Sequence, residues 1–146
     1  MKAFYITCLL AALTLGAKAQ TIFKCDFNSG IPSTFTLIDN DGLEPSADMQ
    51  LLGFESGVPW VVTTPTGDKD MAACSTSWYK VAGQSDDWLI MPPITISSDQ
   101  VVLTWRAKAG DKRFPDGYAV YVSTTAGNTV ESFDKANALF AVDKEN

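Results

Sequence analysis

The alternation of apolar and polar positions is sharpest over residues 101–106. There Val101, Leu103 and Trp105 fall on one face of a strand, and Val102, Thr104 and Arg106 on the other. Residues 118–123 repeat the pattern, with Tyr118, Val120 and Val122 together. Shorter apolar runs bounded by turn residues predict further strands over 21–27, 35–38, 59–63, 71–75 and 87–91. The last of these stops at Pro92-Pro93, which lack the N–H that a ladder needs. The clusters at 28–33, 39–42, 64–70 and 110–117 read as turns and loops, and 43–57 as an irregular excursion without period. Only residues 130–142 carry helical spacing, with Phe133, Ala136, Asn137 and Phe140 near i, i+3, i+4 and i+7. Short strands separated by turns predict an all-β sandwich or barrel.

The start of the chain follows a different rule. Lys2 precedes an apolar run over 3–15 broken only by Thr7 and Thr14, and Ala17-Lys18-Ala19 supplies the small-x-small pattern. That is a signal peptide over residues 1–19, too short to span a membrane as a mature helix. It predicts an exported protein, secreted or on the cell surface, whose single domain occupies 20–146. No transmembrane segment is expected in the mature part.

Composition sharpens this picture. The whole chain has a formal charge of −6, and setting Lys2 and Lys18 aside leaves the exported part more acidic still. Such a surface repels phosphate backbones, which argues against nucleic acid, and it favours cations. Cys8 lies in the signal peptide without a lipoprotein box. Cys25 and Cys74 then either pair in the oxidising compartment or stay as two separate buried thiols. The absence of histidine removes the Ser-His-Asp triad, the Cys-His pair and His-based zinc. There is no G-x-S-x-G elbow or glycine-rich phosphate loop either, so a non-catalytic role is expected. Glycoside hydrolysis needs only two acids, but among 17 acidic residues the sequence nominates no pair.

Several motifs are similar to one family. Phe27-Asn28-Ser29-Gly30-Ile31-Pro32 followed by 35–42, the small-residue run Ala73-Cys74-Ser75-Thr76-Ser77-Trp78-Tyr79, and above all Asp86-Asp87-Trp88-Leu89-Ile90-Met91-Pro92-Pro93-Ile94 come in the family's order. Leu103-Thr104-Trp105-Arg106-Ala107 and Tyr118-Ala119-Val120-Tyr121-Val122-Ser123 follow. With these, the chain resembles the cleaved-adhesin, or choice-of-anchor J, modules of secreted Bacteroidetes proteins, including the adhesin regions of gingipain-type proteases. It departs from them at Phe35, where the family carries tryptophan, and at Gly117, where it carries glutamate. The resemblance covers about 26–140 and lacks the family's last strands, so an N-terminal piece of a longer protein is expected. It implies a jelly-roll β-sandwich, structural Ca²⁺, and adhesion to a host or matrix protein or a glycan. The other role it leaves open is that of an accessory, carbohydrate-binding-like domain of a larger secreted hydrolase or peptidase.

Candidate chemistry concentrates in carboxylates and aromatics. Asp39-Asn40-Asp41-Gly42 can aim alternate carboxylates at one hard cation; it is also a sequence that makes an ordinary acidic turn. It is not an EF-hand, because Gln50 stands where the twelfth-position glutamate is required. Asp86 and Asp87 repel one another unless solvated, hydrogen-bonded or bridged. A calcium site joining Asp26 to Asp87 would staple the first strand to the middle of the chain. Trp78 and Tyr79, in a polar setting, are the candidate exposed contacts for a ligand, whereas Trp88 and Trp105 are expected to fill the core. Lys108, Lys112 and Arg113 form the basic cluster, either a contact for an acidic partner or a solvated loop tip.

Overall fold

The computed structural model describes residues 20–65, 67–97 and 99–145. The expected signal peptide lies outside the described residues. The elements are β1 (Thr36–Asp39), α1 (Ala47–Gln50), β2 (Val61–Thr63), β3 (Ala72–Cys74), β4 (Asp87–Ile90), β5 (Tyr118–Val120) and β6 (Phe140–Val142), with a 3₁₀ turn at Val130–Ser132. The strands pair antiparallel as β1–β4, β2–β3 and β5–β6. The chain is therefore all-β apart from single helical turns. The jelly-roll order is a further step, taken up under Proposed function.

Five of the expected strands form where the apolar runs place them. The β1–β4 ladder sets Thr36 opposite Ile90 and Asp39 opposite Asp87, so a hydrophobic end and an acidic end face each other in register. Phe35 and Ile90 are buried there, and Phe23 and Phe27 pack on Phe35 with ring centroids at 6.2 Å. Buried Phe54, Tyr79, Ala109 and Val130 complete the core among the described residues.

The excursion over 43–57 holds one helical turn, capped by Ser46, whose Oγ accepts from the Met49 N–H at 3.4 Å. The turn is tied to the sheet side by the Pro45–Tyr79 bridge and by Ser46 N–H donating to the Trp78 carbonyl at 2.9 Å.

Three expectations are corrected. Residues 21–27 form no ladder: Phe27 sits at φ 58, and Asp26 Oδ1 takes the Asn28 N–H, so the backbone turns away from an extended path. Residues 130–142 do not form a helix. The Asp134 side chain accepts from Ala136 N–H at 3.0 Å and from the Asn137 amide at 2.7 Å, closing a turn after the 3₁₀ segment and releasing Phe140–Val142 to pair with β5. Residues 101–106, the sharpest alternation, also join no ladder. Alternation selects faces, but a strand also needs a neighbour, and here β5 and β6 satisfy each other. Trp105 is accordingly 42% exposed rather than a core residue. Trp88 is half-buried, stacked on Tyr121 at 5.2 Å and beside Phe133 at 5.5 Å.

Candidate metal centre

The acidic end of the β1–β4 ladder is where the chemistry converges. Asp39 closes β1, Asp87 opens β4, and the ladder register brings them face to face. The loop between Asp39 and Leu43 returns Asp41 to the same place. Its turn uses Gly42 at φ 65, a conformation that favours glycine, and the Gly42 N–H donates to Asp39 Oδ1 at 2.7 Å. Leu43 N–H donates to Asp41 Oδ1 at 2.7 Å, and Asp86 N–H to Asp41 Oδ2 at 2.5 Å. Asp39, Asp41 and Asp87 thus each offer a carboxylate oxygen within 4.8 Å of the other two. Beside them lies a cavity of about 10 Å³, walled in part by Asp39, Glu55, Thr76, Tyr79 and Asp87.

Asp87 is the most constrained of the three. Its Oδ2 accepts from Ser75 Oγ at 2.7 Å, Tyr79 OH at 3.3 Å and Ser85 Oγ at 3.4 Å. Burial, reinforced by the neighbouring Asp41 and Asp39 charges, nonetheless holds its carboxyl above the usual carboxylate range. Tyr79 is pushed up as well, first by burial. The cluster is all carboxylate, without thiol or imidazole, a donor set suited to a hard oxygen-seeking cation such as Ca²⁺. A divalent charge there would relieve the mutual repulsion of the acids, so the residues present fit the ion the family resemblance implies.

The other expected ligands go elsewhere. Asp86 is not in the cluster: its carboxylate accepts from Asn40 Nδ2 at 2.6 Å, Trp88 Nε1 at 2.6 Å and Lys135 Nζ at 3.0 Å. Burial pushes its pKa up, but these hydrogen bonds outweigh that and leave it below the ordinary value. Asp26 is exposed, 3.9 Å from Lys24 and outside the cluster. Asp86 stands one residue before β4, and its hydrogen bonds commit its carboxylate to Asn40, Trp88 and Lys135 rather than to the cluster. Glu55 and Thr76, which wall the cavity, were not anticipated; Glu55 stands in a patternless excursion and carries no signal of its own.

Among the aromatics, Trp78 is 58% exposed as expected, while Tyr79 is corrected to a buried residue whose hydroxyl reaches Ser85 Oγ at 2.8 Å. In the basic cluster, Lys108 pairs with Asp68 at 2.7 Å and Arg113 with Asp111 at 2.6 Å. Cys25 and Cys74 are half-buried free thiols, the unpaired arrangement of the two expected, and burial raises the Cys74 pKa. No helix among the described residues is long and apolar enough to cross a membrane.

Residues 20–141 match the family model described as the Cleaved Adhesin Domain. Hemagglutinin A of Porphyromonas gingivalis is 28% identical over 132 residues, which cover 84% of this chain and 4% of that protein. Lys-gingipain W83 of the same organism is 27% identical over 132 residues, covering 84% of this chain and 7% of that protein. The chain therefore spans only a small part of the length of these relatives. No solved structure matches.

Proposed function

The chain belongs to the cleaved-adhesin domain family, and from that premise we propose that it is an exported, non-catalytic, adhesin-type binding module stapled by Ca²⁺. In this reading the three strand pairs belong to a jelly roll. Its ligand is a host or matrix protein, or a glycan, and Trp78 supplies an exposed aromatic face to it. The observation that carries the cation is the meeting of Asp39, Asp41 and Asp87, which are adjacent only in the folded chain. Bound Ca²⁺ would supply charge neutralisation and a cross-link there. Asp39 and Asp41 come from the β1 end and Asp87 from β4, so the ion would join two parts of the chain more than forty residues apart.

The test is thermal unfolding of the full chain, followed by circular dichroism, in millimolar Ca²⁺ and in EDTA. Ca²⁺ at about 100 times its dissociation constant adds about 2.7 kcal/mol to the stability of a one-site fold. A higher midpoint in Ca²⁺, lost in the Asp41→Asn variant, is expected; identical melts in both conditions overturn the cation reading. The match to Lys-gingipain W83 favours one second role, that of an accessory domain of a larger secreted hydrolase or peptidase. Binding of the isolated chain to immobilised matrix proteins and glycans, lost in Trp78→Ala, supports the adhesin role. Retention of full binding by that variant removes Trp78 from it.

A further inference from the structure

Trp78 stands on a frame that the acidic cluster holds from one end. Residues 44–46 and 78–80 run side by side. Ser46 N–H donates to the Trp78 carbonyl at 2.9 Å, Lys80 N–H donates to the Glu44 carbonyl at 2.9 Å, and Pro45 bridges Tyr79 between them. Each side of this frame is fastened to a carboxylate of the cluster. On one side, Leu43 N–H donates to Asp41 Oδ1 at 2.7 Å. On the other, Ser75 Oγ and Tyr79 OH donate to Asp87 Oδ2 at 2.7 and 3.3 Å. Within the loop, Trp78 N–H donates to Thr76 Oγ1 at 3.1 Å, and Thr76 and Tyr79 both wall the cavity beside the acids. The Trp78 side chain remains 58% exposed. A surface aromatic is thus joined, through short hydrogen-bonded routes, to carboxylates that repel one another.

We propose that Ca²⁺ at Asp39, Asp41 and Asp87 governs the Trp78 contact face: the ion sets residues 75–80 in one arrangement, and without it the loop is looser and holds a ligand more weakly. This rests on the cation reading above and adds a regulatory consequence to it. Without a cation, repulsion between Asp41 and Asp87 works against the frame, because each acid carries one of its sides. A divalent cation turns that repulsion into a clamp that draws both sides to one point. Ordering the loop in advance lowers the conformational entropy that a ligand at Trp78 must otherwise remove. By linkage, a ligand on Trp78 also tightens Ca²⁺. The route is local. Trp105 lies on the β5–β6 pair, its Nε1 donating to Tyr118 OH at 3.0 Å and its ring edge-on to Phe140 at 5.3 Å, so it serves as an internal reference.

The test is ¹⁹F NMR of the full chain labelled with 5-fluorotryptophan and titrated with Ca²⁺ alone, at a temperature below its melting midpoint in EDTA. Melts in Ca²⁺ and EDTA accompany it. Trp78→Phe assigns the Trp78 resonance. That resonance should shift and sharpen with the same Ca²⁺ midpoint as the rise in melting temperature, while the Trp105 resonance stays in place. Asp41→Asn should lose both effects. Ser46→Pro fits the backbone, with φ at −61, and removes the N–H that the Trp78 carbonyl accepts; Ser75→Ala removes a hydroxyl from Asp87. Neither residue belongs to the cluster or to the cavity wall, so both variants should still melt higher in Ca²⁺ but show a weaker Trp78 response. A melt raised by Ca²⁺ with a Trp78 resonance that does not change overturns this inference and leaves the cation reading standing. A melt that Ca²⁺ does not raise overturns both. All the tryptophan resonances responding together, or an undiminished Trp78 response in both variants, also overturns the proposal.

Discussion

Asp87 carries opposing demands. Ser75, Tyr79 and Ser85 hydrogen-bond its carboxylate, while burial and the Asp41 and Asp39 charges raise its pKa. A carboxyl whose folded pKa is raised contributes stability that is present below the unfolded value and lost as pH rises through the folded value. At neutral pH in EDTA the ionised Asp87 is therefore a cost. Asp87→Asn should raise the melting point of the cation-free chain there, have no such effect near pH 3, and abolish stabilisation by Ca²⁺; melts at the two pH values, in EDTA and in Ca²⁺, check all three. Asp86 has the opposite sign. Its folded pKa lies below the ordinary aspartate value, so its contribution is present above that ordinary value and lost as pH falls through the lower folded value. Asp86→Asn should thus lower neutral-pH stability by about 1 kcal/mol, with side-chain exposure limiting the effect, and the two chains should converge in strong acid. Trp60 Nε1 is buried without a hydrogen-bond partner among the described residues, so Trp60→Phe should leave the melt unchanged or raise it slightly.

The β1–β4 ladder is the element on which the candidate site rests, since its register alone sets Asp39 against Asp87. Ile90, at 4% exposure, packs the opposite end of that ladder. Ile90→Ala should cost about 3 kcal/mol and weaken Ca²⁺ stabilisation with it, because losing register separates the acids; paired melts in Ca²⁺ and EDTA report both. Hydrogen exchange should divide the strands. Amides of β1 and β4 are expected to be the slow ones, and amides of 101–107 to exchange quickly. Local sequence marked β1 to β5 well, because each is an apolar run between turn formers. It failed for 130–142, where Phe133, Ala136, Asn137 and Phe140 have helical spacing but one aspartate, Asp134, offers the backbone a turn instead.

Taken as a whole, the molecule is an acidic β protein with a thin core. Its buried apolar residues include Phe35, Phe54, Tyr79 and Ile90, while Leu51, Leu52, Val102, Phe114 and Val122 stay on the surface. Exposed apolar surface on this scale suits a protein that works by contact. The sequence by itself determined what depends on local chemistry and composition. It marked the acidic charge, the all-β character from period-two runs, the lack of histidine-based catalysis, the membership that residues 20–141 carry, and the carboxylates from which the site is drawn. Only the tertiary structure decided which acids meet. Asp39 and Asp87 are joined by a long-range ladder, and Asp86 is withdrawn by Lys135, forty-nine residues away. It also decided that Tyr79 turns inward and that 101–106 stays unpaired. Alternation in a sequence states which side chains share a face, but a strand's partner and a site's membership are set by contacts between distant segments. No local pattern encodes them.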